Sequence, residues 1–380
     1  MKSKNVEKIL VTGGLGFVGS HTVDLLVNTG YEVTVIDNLE KQVHGEKQKI
    51  PNYHNKNVNY VCEDILSKNL LKKYIQETDA VIHLAAMVGV GQSMYQIERY
   101  VDVNTRATSK LLDLIVNTNN SIKKIVVASS MSIYGEGLYN CEKCSINLYP
   151  TLRKKSDLNK GSWGHLCSNC NSSLSPIPTT EDKPLLPTSI YAMTKRHQEE
   201  MCLLIGKTYN IPTVALRYFN IYGSRQALSN PYTGCVAIFT SRILNNNSPY
   251  IFEDGNQTRD FIHVSDLAQA NVKALEKSNA NYNVINVGTG NPIKIKELSD
   301  LLINLYHKNI KTHISNEYRN GDIRHCYADI TKAKKLLDFD PKVKLETGLS
   351  ELDSWVEDNK STARDLFESS LQELKSRNLT

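Results

Sequence analysis

A chain of 380 residues exceeds what one hydrophobic core ordinarily serves, so a small binding module is excluded and at least two domains of about 150 residues are expected. Hydrophobic residues at 40% against 22% charged give a globular balance that excludes a disordered chain. The formal charge of +5 is too thin for a nucleic-acid footprint and suits a small phosphate-bearing ligand.

The first eight residues are charged and lead straight into Ile9-Leu10-Val11, without the apolar stretch or cleavage site of a secretion signal; a cytoplasmic location is expected. The longest apolar stretch, residues 80–90, is interrupted by His83 and falls far short of the roughly 20 residues a membrane helix needs, so no membrane contact is expected. β-Branched runs at residues 8–11, 32–36, 58–62, 80–84 and 124–127 read as strands. Residues 17–28, 66–77 and 93–117 between them have the period and length of crossover helices, which parallel strands require. The expected class is α/β, a Rossmann-type doubly wound parallel sheet.

Thr12-Gly13-Gly14-Leu15-Gly16-Phe17-Val18-Gly19 follows the first strand and opens the first helix. Gly13 allows the tight turn, Gly16 lets backbone approach a pyrophosphate, and Gly19 lets helix and strand pack closely, while free helix N–H groups face the phosphate. Asp37 ends the second strand about 20 residues on, where a carboxylate bonds ribose hydroxyls and repels a 2′-phosphate, so the predicted cofactor is NAD rather than NADP.

Ser130 closes the strand end Ala128-Ser129-Ser130, the edge of a parallel sheet where ligands bind. After Tyr134-Gly135 the chain turns polar, and residues 136–178 read as an inserted knuckle ending in Ser175-Pro176-Ile177-Pro178. The knuckle holds Cys141-x2-Cys144 and Cys167-x2-Cys170, 22 residues apart, the spacing of a four-cysteine structural zinc ribbon. Two local disulfides, the loss of a ligand, or His165 in place of one thiolate remain alternatives, since neither turn has the usual Cys-Pro-x-Cys-Gly form. Cys62, Cys202, Cys235 and Cys326 are scattered and read as small buried hydrophobes.

A helix over 190–209 opens with Tyr191-Ala192-Met193-Thr194-Lys195, which sets tyrosine and lysine on one face. A phenol titrates near pKa 10, and an ammonium one turn away stabilises its phenolate, so Tyr191 is a candidate base with Ser130 as hydrogen-bond partner to the same substrate oxygen. A strand over 213–219 follows, then mixed helices and short strands. The expected division is residues 1–135 and 179–217 as the NAD-binding domain, 136–178 as the ribbon, and 218–380 as mainly the substrate lobe, with some segments returning to the first domain. Residues 351–380 read as one amphipathic surface helix with a fraying end.

Taken together the chain resembles the extended short-chain dehydrogenase/reductase family of NAD-dependent nucleotide-sugar enzymes, over nearly everything except 136–178. Beyond the glycine motif and the Tyr-x-x-x-Lys pair, the matching segments are His83-Leu84-Ala85-Ala86, Asn104, Ser129-Ser130-Met131-Ser132-Ile133-Tyr134-Gly135, Arg217-Tyr218-Phe219-Asn220, Arg259-Asp260-Phe261-Ile262-His263-Val264 and Arg319-Asn320-Gly321-Asp322. The resemblance implies a cofactor lined by Phe17, Val18, Asn38, Leu84, Ala85, Ala86, Asn104, Tyr191, Lys195 and Tyr218, with Asp64 and Ile65 by the adenine. It implies Ser130 and Ser132 by the sugar and Asn220, Arg259 and Arg319 toward the nucleotide diphosphate. Asn220 as a turn cap and the two arginines as solvated charges are the plainer alternatives.

Related 4,6-dehydratases carry an Asp-Glu pair directly after the Ser/Thr, because elimination needs an acid and a base at neighbouring carbons, and related decarboxylases usually have a glutamate at the second place. Here those places hold Met131 and Ser132, which leaves epimerisation at C4. The cysteine insert and the segment 222–234 are similar to a subgroup of dTDP-L-rhamnose 4-epimerases, which interconvert dTDP-L-rhamnose and dTDP-6-deoxy-L-talose. UDP-galactose 4-epimerases are also similar but carry a lysine where this chain has Val88. A UDP-hexose or UDP-glucuronate 4-epimerase, a nucleotide-sugar reductase or dehydrogenase, and a non-catalytic NAD-binding scaffold are the alternatives. The implied partners are a nucleotide-diphosphate sugar and a second copy of the chain, meeting through the helices that hold Asn104 and Tyr191.

Overall fold

A computed structural model describes residues 6–232, 234–359 and 363–380. The first five residues of the N-terminal segment, Thr233 of the 222–234 motif and residues 360–362 lie outside the described residues.

Among the described residues, seven strands form one parallel sheet: β1 (Lys8–Thr12), β2 (Glu32–Ile36), β3 (Asn59–Val61), β4 (Ala80–His83), β5 (Lys124–Ser130), β6 (Thr213–Tyr218) and β7 (Asn283–Val287). Their spatial order is β7-β6-β5-β4-β1-β2-β3. The middles of the central strands are apolar because both faces are covered. Ile9, Val11, Val33 and Val35 pack with Val23 and Leu26 of the helix Phe17–Asn28 and with Leu267, Ala270 and Ala274 of Val264–Glu276. Leu10, Val81, Ile125 and Val127, pointing the other way, pack with Leu111 and Ile115 of Ala107–Asn117 and Cys202 of Ile190–Thr208. Each buried Leu, Ile or Val side chain contributes about 1.5–3 kcal/mol. The chain's direction of progress across the sheet reverses between β1 and β4, which opens a crevice at the carboxyl ends of those strands.

The second lobe packs the helices Cys235–Leu244, Ile295–Leu305 and Leu345–Asn359 around Tyr222, Ile251 and Phe261. The insert is a small antiparallel sheet with Leu138–Cys141 between Ile146–Leu148 and Ser175–Ile177. Both of its roots lie on one segment of the lobe: the Gly137 N–H donates to the His325 carbonyl and the Thr179 N–H to the Tyr327 carbonyl, each at 2.8 Å.

Three expectations are corrected. The helix expected over 93–117 starts at Ile97 and runs without interruption to Asn117 through a π-helical stretch, Val101–Arg106, whose wide turn carries Asn104. The C-terminal stretch is not one surface helix. After Leu345–Asn359, a separate helix Phe367–Ser376 buries Phe367, Leu371 and Leu374, an i, i+4, i+7 stripe, and its Glu373 accepts the hydroxyls of Tyr95 and Tyr232 at 2.9 and 2.8 Å. Among the scattered cysteines, Cys202 and Cys326 are buried, but Cys235 is half-buried and Cys62, just past the short edge strand β3, is exposed. No described helix is long and apolar enough to cross a membrane.

Candidate active site

The glycine turn sits where β1 meets the first helix. Gly13 has φ +71°, and a side chain there would press on the Ala85 backbone; a Cβ at Gly19 would run into the Gly13 carbonyl. Gly16 caps the helix Phe17–Asn28 without a side-chain hydrogen bond, so no side chain competes for the N–H groups of the first turn, which holds Phe17 and Val18. Asp37, buried at the end of β2, accepts the Leu15 N–H on Oδ2 at 3.0 Å and the Leu39 N–H on Oδ1 at 2.9 Å. Oδ2 retains a further lone pair for a ribose hydroxyl, while the buried His44 Nε2 stands 3.7 Å from Oδ1. Asn38 donates to Asp64 Oδ2 at 3.1 Å, and Asp64 Oδ1 holds the Leu66 N–H across the buried Ile65. Leu84 and Ala85 hang from Thr12 by backbone N–H bonds of 3.1 and 3.2 Å, which fixes the start of the Leu84-Ala85-Ala86 turn against the glycine loop. These residues offer a phosphate-facing helix end and a carboxylate oxygen with a lone pair to spare, a donor and acceptor set that fits a dinucleotide.

At the end of β5, Ser130 Oγ accepts the Ser132 N–H at 3.2 Å and lies 2.9 Å from Ser132 Oγ. The neighbouring Ser129 hydroxyl donates to Glu199 at 2.6 Å, and Arg217 forks onto the same carboxylate at 2.6 and 3.0 Å, so the strand end is held by a buried ion pair. Ser189 caps the helix Ile190–Thr208 by accepting the Ala192 N–H at 3.1 Å. The Tyr191 N–H donates to Ser93 Oγ at 3.0 Å. Burial pushes the Tyr191 phenol above its ordinary pKa, and a hydrogen bond with Ser130 acts against that shift. Burial lowers the Lys195 ammonium to about 7.

Sequence reasoning missed the residues behind Lys195. Its Nζ donates to Gln198 Oε1 at 2.8 Å; the Gln198 amide nitrogen donates to Thr108 Oγ1 at 2.9 Å and stands 3.1 Å from His83 Nε2. His83 Nδ1 lies 2.7 Å from Thr12 Oγ1, and burial with the Lys195 charge holds the imidazole neutral, its pKa lowered to about 3. The i, i+3 spacing of Lys195 and Gln198 was the one signal available in the sequence.

The remaining candidates divide. Asn104 clamps both backbone groups of Met87, at 2.7 and 3.1 Å, and donates to Thr194 at 3.0 Å, so its amide braces the loop beside Tyr191. Tyr218 lies in the sheet core, its hydroxyl donating to Asn271 at 2.6 Å, and Asn271 donates to Thr22 of the first helix at 2.9 Å. Asn220 Oδ1 is buried and has no partner among the described residues, an acceptor open to a ligand donor. The Arg259 guanidinium donates to the carbonyls of Thr258, Ile323 and Arg324, which leaves Nε and one Nη2 hydrogen for a ligand. Arg319 lies over the Phe252 ring, pairs with Asp322 at 2.9 Å and is 40% exposed, with donors left over.

In the insert the sulfurs of Cys141, Cys144, Cys167 and Cys170 all lie within 4.8 Å of one another, with Sγ–Sγ separations of 3.5 Å (141 to 170) and 3.9 Å (144 to 167). Tetrahedral zinc with bonds near 2.3 Å sets sulfurs about 3.8 Å apart, so the set fits that ion, and the cysteines are not disulfide-bonded. His165 is not among the ligands; its Nε2 sits 3.1 Å from Glu136.

Residues 165–288 match the NAD dependent epimerase/dehydratase family, and residues 10–150 match the GDP-mannose 4,6 dehydratase model. The chain is 30% identical to a dTDP-L-rhamnose 4-epimerase of Burkholderia thailandensis over 92% of its own length and 95% of that protein's. It is 33% identical to a putative UDP-glucose 4-epimerase of Methanocaldococcus jannaschii over 93% of its length and all of the relative's. A crystal structure of UDP-glucuronic acid 4-epimerase from Bacillus cereus, in complex with UDP-glucuronic acid and NAD, superposes with a TM-score of 0.75 at 29% identity, covering 93% of this chain and 99% of that one.

Proposed function

Because the chain belongs to the NAD-dependent epimerase/dehydratase family, we propose that it is a nucleotide-sugar 4-epimerase that interconverts dTDP-L-rhamnose and dTDP-6-deoxy-L-talose. The observation that carries this reading is the strand-end group in which Ser130 closes β5 against the helix that holds Tyr191 and Lys195 one turn apart, while Met131 and Ser132 follow where a dehydratase has its acid pair. Ser130 holds the C4 oxygen and Tyr191 takes its proton, the phenolate favoured by the Lys195 charge. Bound NAD would supply the hydride acceptor and donor at C4, and the 4-keto sugar must turn within the site for the hydride to reach its other face. Tyr191 then gives the proton back. Met131 and Ser132 offer no group to draw a proton from C5, so that carbon stays untouched.

Asp37 and the glycine turn would hold the adenosine and pyrophosphate of NAD, and the four cysteines one structural zinc remote from hydride chemistry. Exposed Ile97 and Val101 on one stretch, and Met193 and Leu204 on the helix that carries Tyr191, give an apolar face for a homodimer. A UDP-hexose or UDP-glucuronate 4-epimerase is the second reading, favoured by the equal similarity to UDP-sugar epimerases.

The test is incubation in D2O with dTDP-L-rhamnose, dTDP-glucose, UDP-glucose and UDP-glucuronate, read by NMR. The expected result is the C4 epimer of dTDP-L-rhamnose with no solvent deuterium on carbon and no net NADH. Turnover of a UDP-sugar alone replaces the substrate assignment; deuterium at C5 or stoichiometric NADH removes the epimerase.

A further inference from the structure

Resting on the nucleotide-diphosphate reading of the site, we propose that the cysteine insert is a positioning element for the diphosphate arginines, and that it acts through Arg153. Besides the ring contact of Tyr139 with His325, the insert meets the lobe through a cluster of buried charges. Arg153 forks onto Glu253 at 2.8 Å on both nitrogens and donates to the Asp322 carbonyl at 2.9 Å. Glu136, at the insert's first residue, accepts the Arg324 N–H at 2.8 and 2.9 Å. Arg324 returns to Glu253 at 2.8 Å and to Asp254 at 2.7 and 2.9 Å. The side chains of Glu136, Arg153, Glu253 and Arg324 are all at most 7% exposed.

Charges so deeply buried tolerate little displacement, because each is stabilised only by the partners it meets in this geometry. Glu253 is also held at φ +58°, a conformation uncommon for a residue with a side chain, while two guanidinium groups grip it. The backbone they fix belongs to the diphosphate site. Arg259 donates to the Ile323 and Arg324 carbonyls at 2.7 and 2.9 Å, and Arg319 binds the Asp322 carboxylate at 2.9 Å. The segment 322–324 is therefore gripped by the insert on one side and by the two arginines on the other. Loss of the Arg153 fork leaves Glu253 to Arg324 alone and releases the Asp322 carbonyl, which loosens the segment and lets both arginines drift from a diphosphate, while Tyr191, Lys195 and the glycine turn lie outside the network.

The experiment compares the parent with Arg153→Met and Arg153→Lys in the full-length protein. It reads the Kd of UDP and dTDP by calorimetry, KM and kcat on the sugar nucleotide that turns over, bound NAD, and Tm. The expected result is a Kd and KM raised about tenfold by methionine and about threefold by lysine, which keeps charge but not the fork, with kcat within about twofold and NAD content unchanged. A folded variant with a lowered Tm and unchanged Kd and KM would mean that Arg153 only fastens the insert, and the inference falls. If the methionine variant does not fold, the lysine variant decides by the same measures. A parent that binds neither UDP nor dTDP overturns the nucleotide reading itself, and this inference with it.

Discussion

Lys195 and His83 are joined through a single side chain: Gln198 accepts the Lys195 ammonium at 2.8 Å and sets its own amide 3.1 Å from the His83 ring. The lysine on the helix after the insert is thereby aimed by the end of β4, with Thr12 of β1 closing the chain at 2.7 Å. A buried polar chain of this kind holds its members in one arrangement because an unpaired member would carry its full desolvation cost.

His83 carries a pH signature. Its pKa is about 3 when folded against 6.5 when unfolded, so between those values the unfolded chain binds the extra proton. Stability from this group is complete above pH 6.5 and is lost as pH falls toward 3. Denaturant titrations at pH 7 and pH 5 should show the parent losing about 2 kcal/mol more than His83→Asn over that interval. Equal losses would mean that the ring is not held neutral.

Tyr191→Phe keeps the ring's packing against Tyr100 and removes only the proton acceptor. Turnover should fall by at least about a hundredfold while copurifying NAD is retained. Activity within about tenfold of the parent would take the base assignment away from Tyr191.

Asp37 should set cofactor choice by repelling a 2′-phosphate. Fluorescence titration of apoprotein should favour NAD over NADP, and Asp37→Ser should narrow the preference by about tenfold or more. Comparable parent affinity for the two would show that the carboxylate does not face the ribose.

Metal analysis of protein purified without added zinc should find about one zinc per chain. Cys141→Ser or Cys170→Ser should speed proteolysis within 136–178 before it lowers kcat. Zinc-free protein with that segment still protected would end the zinc assignment.

Much of the site was legible because its signals are local. The glycine spacing, Asp37 at a strand end, the Tyr191 to Lys195 interval and the two Cys-x2-Cys turns all lie within one turn or one βα unit, where backbone periodicity alone decides which side chains are neighbours. The same holds for the sheet, whose apolar runs declare strands covered on both faces. The C-terminal stretch was misread because an amphipathic stripe tells that a helix has an apolar face and not what covers it; Phe252 lies 115 residues before Phe367.

The sequence by itself determined the fold class, the dinucleotide turn, the strand-end serine with its tyrosine and lysine, and the cysteine quartet. Only the tertiary structure decided that Gln198 aims Lys195, that Asn104 spends its amide on Met87, and that Arg153 reaches Glu253 across 100 residues of chain. Those pairings arise when distant segments are packed together, and a buried charge must then find whichever partner the packing brings within reach, a choice that no local period records.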